Sequence, residues 1–211
     1  MKRILIIDDH EVLRDGVKRI FDKQPSSVTF GEAGTAPEAL ELVREQDWDA
    51  AVLDLNLGGG RDGLEILKEM KQIRPRLPVL ILSMHSEELF ARRAFKAGAS
   101  GYITKNSPRA ELIKAINKVI QGGMYVSPAL ASELVIDLRR STDRPRHEIL
   151  SDREFEVLRL IASGKAVGEI ADLLSLSDGT ISTYRARILE KMGMKTNAEL
   201  THYAIKNNLV D

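Results

Sequence analysis

The sequence predicts a parallel α/β sheet domain followed by a small all-α domain. Three observations carry that expectation. First, short and uniformly apolar runs (Ile4 to Ile7, Ala50 to Leu53, Val79 to Leu82) alternate with stretches of helical spacing as far as Gln121. Runs without polar alternation are how strands buried on both faces read. Second, each of these runs ends in a polar residue, and in such sheets ligands gather beyond the carboxyl ends of the strands. Third, from Met124 onward the strand pattern stops, and past a polar stretch at Arg139 to Arg146 only helical spacing remains.

The elements follow in order. Ile4 to Ile7 form a central strand that ends in Asp8-Asp9-His10. Leu13, Val17, Ile20 and Phe21 share one helical face, stopped near Pro25-Ser26-Ser27. Val28 to Glu32 make the second strand. Thr35 caps a helix through Glu45, with Pro37 in its first turn and Ala39, Leu40 and Val43 inward. The third strand delivers Asp54, and Gly58-Gly59-Gly60 follows closely. A helix over Asp62 to Ile73 turns Leu64, Ile66, Leu67 and Met70 inward. The fourth strand ends at Ser83. Glu87 to Lys96 is helical and closes at Ala97-Gly98. Gly101 to Thr104 is a short fifth strand delivering Lys105. Pro108 opens a helix through Ile120, halted by Gly122-Gly123. Ser127-Pro128 starts a short helix through Leu138. The second domain has helices near Asp152 to Ser163, Val167 to Leu174, Asp178 to Met192 and Asn197 to Asn207. Strands alternating with helices in this way require right-handed crossovers.

Composition narrows the function classes. The 211 residues are 43% hydrophobic and 29% charged, which fits a soluble protein with real cores. The chain has no cysteine, so disulfides, thiolate metal sites and cysteine nucleophiles are excluded, as suits a reducing cytoplasm. No run approaches the ~20 apolar residues that span a bilayer. Asp8-Asp9 cuts the N-terminal apolar run too early for a signal peptide. Net charge is +0, so a nucleic-acid partner must be met by a local basic patch.

A single aspartate at a strand end is more often structural than functional. Here four strand ends present complementary groups: Asp8 and Asp9, Asp54, Ser83 and Lys105. Adjacent carboxylates call for a divalent cation, and a hard one such as Mg²⁺ takes oxygen ligands. A carboxylate can act as the nucleophile that becomes an aspartyl phosphate. Lysine and hydroxyl groups then meet the phosphoryl oxygens.

Ile4-Leu5-Ile6-Ile7-Asp8-Asp9-His10, Val52-Leu53-Asp54-Leu55-Asn56, Leu82-Ser83 and Gly101-Tyr102-Ile103-Thr104-Lys105 resemble the receiver domain of bacterial response regulators. The resemblance implies a flavodoxin-like strand order 2-1-3-4-5 and phosphorylation of Asp54 by a sensor histidine kinase. It implies Mg²⁺ held by Asp9, Asp54 and the backbone carbonyl of Asn56, with Asp8 reached through water. Ser83 and Tyr102 become the switch pair, Tyr102 turning inward on phosphorylation, and Lys105 the phosphate-pairing base. The chain departs from the family in its glycine loop, Leu57 to Gly63, which is one residue longer, and in Asn106 where many receivers have proline. His10 reads as a helix-start residue, a poor transition-metal candidate with no second histidine nearby.

In the second domain, Ile170 to Leu174, a turn at Ser175-Leu176, and Ser177 before a long helix give helix-turn-helix spacing. Ile181, Ile188, Leu189 and Met192 face the core. Thr180, Ser182, Thr183, Arg185, Arg187 and Lys191 lie outward or flanking, the cations suited to phosphates and the short polar groups to base edges. The string from Leu150-Ser151-Asp152-Arg153-Glu154 through Ile188-Leu189-Glu190-Lys191-Met192 resembles the LuxR-type DNA-binding domain. With the receiver it implies a NarL/FixJ-type response regulator. Ser182, Thr183 and Ala186 then fall at base-facing positions, and Gly168, Gly179 and Ala186 stand where longer polar residues are common.

The expected organisation is a phosphoacceptor receiver over 1–122, a linker with a short helix over 123–147 and the DNA-binding domain over 148–211. The expected partners are a kinase, double-stranded promoter DNA and a second copy of the chain. The expected chemistry is phosphoryl acceptance and autodephosphorylation, without other turnover. An aspartate-dependent phosphohydrolase is disfavoured because it places a second acid two residues after the nucleophile, where this chain has Asn56. The alternative is a DNA-binding regulator indifferent to phosphorylation, its receiver serving only dimerisation.

Overall fold

The protein is described from a computed structural model, covering residues 1–21, 28–57, 62–84, 87–132 and 145–210. Two compact units divide it, Met1–Arg139 and Arg140–Asp211.

The first unit is a five-stranded parallel sheet in the order β2-β1-β3-β4-β5, as expected. Its strands are β1 (Lys2–Ile7), β2 (Val28–Ala33), β3 (Ala50–Leu53), β4 (Val79–Ser83) and β5 (Gly101–Thr104). Between them run α1 (Glu11–Phe21), α2 (Ala36–Glu45), α3 (Gly63–Ile73) and α4 (Glu87–Lys96), and α5 (Arg109–Ile120) follows. Strand side chains alternate between faces. Ile4, Ile6, Val52, Leu80 and Leu82 pack in one cluster with Val17 and Phe21 of α1 and Leu112, Ile116 and Val119 of α5. Leu5, Ile7, Leu53 and Ile81 point the other way and are equally buried, as are Val43, Leu64, Leu67 and Met70 of α2 and α3.

Caps set the helix starts. The Thr35 side chain accepts from the Glu38 N–H, and Asp62 from the Leu64 N–H. Asp62, the expected first residue of α3, is thus its cap, and the helix begins one position later at Gly63. Gly63 has a steric reason: a Cβ there would lie 2.4 Å from the Leu55 Cα. The start of α3 therefore lies directly against the residue after Asp54.

The segment after α5 stays with this unit. Tyr125 bridges to Gly101, covering part of the β5 edge, and its hydroxyl donates to Glu111 at 2.9 Å. Ser127 donates to Glu87 at 2.6 Å, and its Oγ accepts from the Leu130 N–H. Residues 128–132 are helical. The rest of the expected helix to Leu138, and most of the polar stretch after it, lie outside the described residues, as do Gly58, Gly59, Gly60 and Arg61.

The second unit is helical: a 3₁₀ turn (Arg146–Ile149), α6 (Asp152–Ala162), α7 (Val167–Leu174), α8 (Asp178–Met192) and α9 (Asn197–Lys206). Ser151 and Glu154 form a reciprocal capping box at α6. Ser175 takes the left-handed conformation (φ 52°) that ends α7. Ser177 caps α8 and Gly193 (φ 65°) ends it. Phe155, Leu158, Ile170, Ile181, Ile188, Met192 and Leu200 fill the core. Leu189, expected inward, is only half-buried.

Candidate functional site

Strand order decides where the cleft falls. β1 and β3 are neighbours whose last residues, Ile7 and Leu53, are in register. The chain leaves β1 toward one side and β3 toward the other, so the carboxyl ends open a crevice at this switch point. Asp8 and Asp9 follow β1 and Asp54 follows β3. The Asp54 N–H donates to the Ile7 carbonyl at 2.9 Å, and the Lys105 N–H to the Ser83 carbonyl at 2.8 Å. Ladder continuation thus places Asp54 and Lys105 one step beyond β3 and β5.

Asp54 is only 2% exposed, and Asp8 and Ser83 are also buried. The Lys105 Nζ lies 2.7 Å from Asp54 Oδ2 and 2.8 Å from Asp8 Oδ2. Asp54 Oδ1 is buried and makes no hydrogen bond of normal geometry among the described residues. Burial pushes the Asp54 carboxyl above its usual range. Lys105 opposes that rise, the Asp8 charge adds to it, and the nearby Asn56 N–H opposes it weakly. Burial alone would lower Lys105, but its two carboxylate partners hold the ammonium above the ordinary lysine value.

One ligand atom each from Asp8, Asp9, His10 and Asp54 lie within 4.8 Å of one another. This acidic pocket can hold a metal. Carboxylates with an orphaned buried oxygen fit a hard divalent cation. His10 sits at the start of α1, as the sequence reading has it, and its Nδ1 also stands 2.7 Å from Asp9 Oδ1, inside the cluster. Only its position beside Asp9 hinted at this.

Ser83 and Tyr102 occupy β4 and β5, with Tyr102 opposite Ile81 in register. Tyr102 is 0% exposed. It is already inside while Asp54 is paired with Lys105, whereas the sequence reading turns it inward only on phosphorylation.

In the second unit, α7, the turn at Ser175–Ser177 and α8 form the helix-turn-helix. Ser182, Ala186 and Arg187 are exposed on α8, and Thr180 is half-buried. Three other candidates are engaged within the unit. Thr183 Oγ1 donates to the Gly179 carbonyl, Arg185 Nε to Asn197 Oδ1 at 2.6 Å, and Lys191 Nζ to both oxygens of Glu154 at 2.8 and 2.7 Å. Glu154 is 3% exposed. Burial would raise its pKa, but Lys191 and the Ser151 N–H bring it below the ordinary glutamate value. Spacing could not reveal this pair, because its members lie far apart in sequence.

An α/β domain with an acidic, lysine-bridged cleft, joined to a helix-turn-helix unit, is the architecture of a signal-receiving DNA-binding regulator. Residues 4–117 match the response regulator receiver domain, and residues 148–204 match the bacterial regulatory proteins of the luxR family. The response regulator GacA of Pseudomonas viridiflava is 32% identical over 212 residues, covering 100% of this chain and 99% of that one. The oxygen regulatory protein NreC of Staphylococcus carnosus is 33% identical over 215 residues, covering 99% of each chain. Among solved structures, RcsB of Salmonella enterica serovar Typhimurium, bound to promoter P1flhDC in the presence of phosphomimetic BeF3−, aligns with TM-score 0.59. It is 25% identical and covers 96% of this chain and 97% of that one. The chain belongs to the two-component response regulators that carry a LuxR-type DNA-binding domain. Such proteins act mainly as regulators rather than by substrate turnover, and a receiver domain implies a histidine kinase as partner. No helix among the described residues is long and apolar enough to cross a membrane.

Proposed function

We propose that Asp54 accepts a phosphoryl group from a sensor histidine kinase and that the modified receiver, spanning 1–122, controls DNA binding by 148–211 through the linker at 123–147. The observation that carries this reading is the Asp54 carboxylate itself: buried, held at one oxygen by Lys105 and, among the described residues, without a hydrogen bond of normal geometry at the other. An Asp54 oxygen forms the new bond to phosphorus as the bond to the kinase imidazole breaks and the imidazole keeps the electron pair. Lys105 exchanges its carboxylate contact for a phosphoryl oxygen, and the Ser83 hydroxyl donates to another. Asp9, Asp54 and the Asn56 carbonyl are the residues that would hold Mg²⁺, with Asp8 behind a water. The cation supplies charge neutralisation at the phosphoryl oxygens. Release of the phosphate by water would be the chain's one catalytic act.

Repacking around Ser83 and Tyr102 favours a homodimer that reads paired DNA half-sites in the cytoplasm. Ser182, Thr183 and Ala186 of α8 face bases, while Thr180, Arg185, Arg187 and Lys191 meet phosphates, the engaged ones after leaving their present partners. The test is labelling with a phosphorylated kinase or acetyl phosphate. An acid-stable, base-labile label on the wild-type chain that Asp54→Asn lacks supports the reading. No label on the wild type, or equal label on both, overturns it.

A second reading has one observation in its favour. Tyr102 is inside already, as in a receiver whose output does not wait for phosphate. DNA affinity insensitive to phosphorylation would select it.

A further inference from the structure

The imidazole of His10 has no part in the function proposed above, yet it belongs to the acidic cleft. The His10 N–H donates to Asp8 Oδ1 at 2.9 Å. Its carbonyl accepts from the N–H groups of Leu13 and Arg14 at 3.0 and 3.2 Å. The backbone is therefore pinned at both ends, by the cleft and by the first turn of α1, which sets the His10 Cα beside the two carboxylates. Nδ1 lies 2.7 Å from Asp9 Oδ1 and 3.3 Å from Asp8 Oδ1. Around a six-coordinate ion with bonds of about 2.1 Å, neighbouring donors stand about 3.0 Å apart and opposite ones about 4.2 Å. The two measured separations bracket the first figure, and the 4.8 Å span of the four residues is slightly wider than the second. Lys105 takes the Oδ2 atoms of Asp8 and Asp54. The Oδ1 atom of Asp8 is the one near the imidazole, and the Oδ1 atom of Asp54 is buried and makes no hydrogen bond of normal geometry among the described residues. That orphaned oxygen is an observation independent of His10 and of the acidic cluster as such.

We propose that His10 Nδ1 is a metal ligand, so that the cleft is a mixed nitrogen–oxygen site binding Mn²⁺ or Co²⁺ more tightly than Mg²⁺. The proposal rests on the reading of the cleft as a divalent-cation site. An imidazole nitrogen gains more from a first-row transition ion than from Mg²⁺, which prefers oxygen and keeps its waters. The ring is 65% exposed, so Nδ1 can serve the metal while the rest of the imidazole stays in water. The competing role is orientation only, with Nδ1–H donating to Asp9 and never touching the ion.

The test uses the full chain and Mn²⁺ alone. An EPR titration gives the Mn²⁺ Kd, competition gives the Mg²⁺ Kd, and electron spin echo modulation reports ¹⁴N bound to the manganese. Wild type, His10→Ala, His10→Gln and Asp9→Asn are compared. The wild type should show ¹⁴N modulation that both His10 variants lose. The Mn²⁺ Kd should rise about tenfold in those variants, and the Mg²⁺ Kd by less than about twofold. Absence of histidine modulation in the wild type, or equal weakening of both ions, overturns the proposal and leaves His10 an orienting residue. If Mn²⁺ does not bind the wild type, or binds Asp9→Asn equally well, the cation-site reading falls too. The Asp9→Asn arm therefore separates the two failures.

Discussion

Lys105 and Asp54 stand 51 positions apart in sequence and 2.7 Å apart in space, an ion pair formed inside the protein between the ends of β3 and β5. The pairing does not compensate the carboxylate fully, since burial still holds the Asp54 pKa above the ordinary aspartate value of 3.8. Over the interval between 3.8 and the raised value, the folded protein binds a proton that the unfolded chain has released. Stability contributed by this group is complete below that interval and is lost as pH rises through it.

Asp54→Asn removes the penalty while Lys105 keeps Asp8. At pH 7 the variant should be more stable than the wild type in urea unfolding, because the neutral amide carries no charge to desolvate. The gain should vanish below the ordinary aspartate pKa. A variant less stable than wild type at pH 7 would contradict this electrostatic description.

Gly63→Ala should strike the backbone rather than a yielding side chain. The new Cβ would stand 2.4 Å from the Leu55 Cα and 2.6 Å from its carbonyl oxygen. Overpacking of this kind costs roughly 1–3 kcal/mol. Because Leu55 follows Asp54, phosphoryl acceptance should slow as well, which a labelling time course at equal folded fraction would detect.

Glu154→Gln breaks the ion pair that ties the start of α6 to the last turn of α8. Lys191 is 42% exposed, so solvent screening limits the loss to about 1 kcal/mol. The Glu154 pKa is depressed below 4.5, so its contribution is present above that pH and lost as pH falls through the folded value. Thermal melts at pH 7 and pH 4 should show the wild type and variant converging at the lower pH.

Arg187 is exposed and has no hydrogen bond or ion pair among the described residues, so it is free to meet a phosphate. Arg187→Ala should weaken DNA binding to all sequences alike and reduce the salt slope by about 1. Ser182→Ala should instead alter base preference at one position and leave the slope unchanged. Titrations at several salt concentrations, on matched and mismatched sites, distinguish the two.

The sheet was legible because buried parallel strands are written as apolar runs, and the cleft because each run ends in a polar residue. Asp8, Asp9, Asp54, Ser83 and Lys105 needed only the strand ends to be aligned. What spacing could not convey was side-chain choice. Tyr102 is fully buried, and Lys191 bends back to Glu154. The nearness of the His10 ring to Asp8 and Asp9 was not legible either, because the sequence reading looked for a second histidine and not for carboxylates beside it. Tyr125 looked like the start of a linker, yet its bridge to Gly101 keeps that segment on the first unit.

The central claim is that phosphate on Asp54 is the signal the DNA-binding unit obeys. It is tested most directly by selecting a DNA site for the full chain and measuring affinity before and after phosphorylation, in the wild type and in Asp54→Asn. The wild type should tighten on phosphorylation, and Asp54→Asn should be unmoved by the same treatment. Equal affinity of the wild type in both states, or the same response from Asp54→Asn, would contradict it.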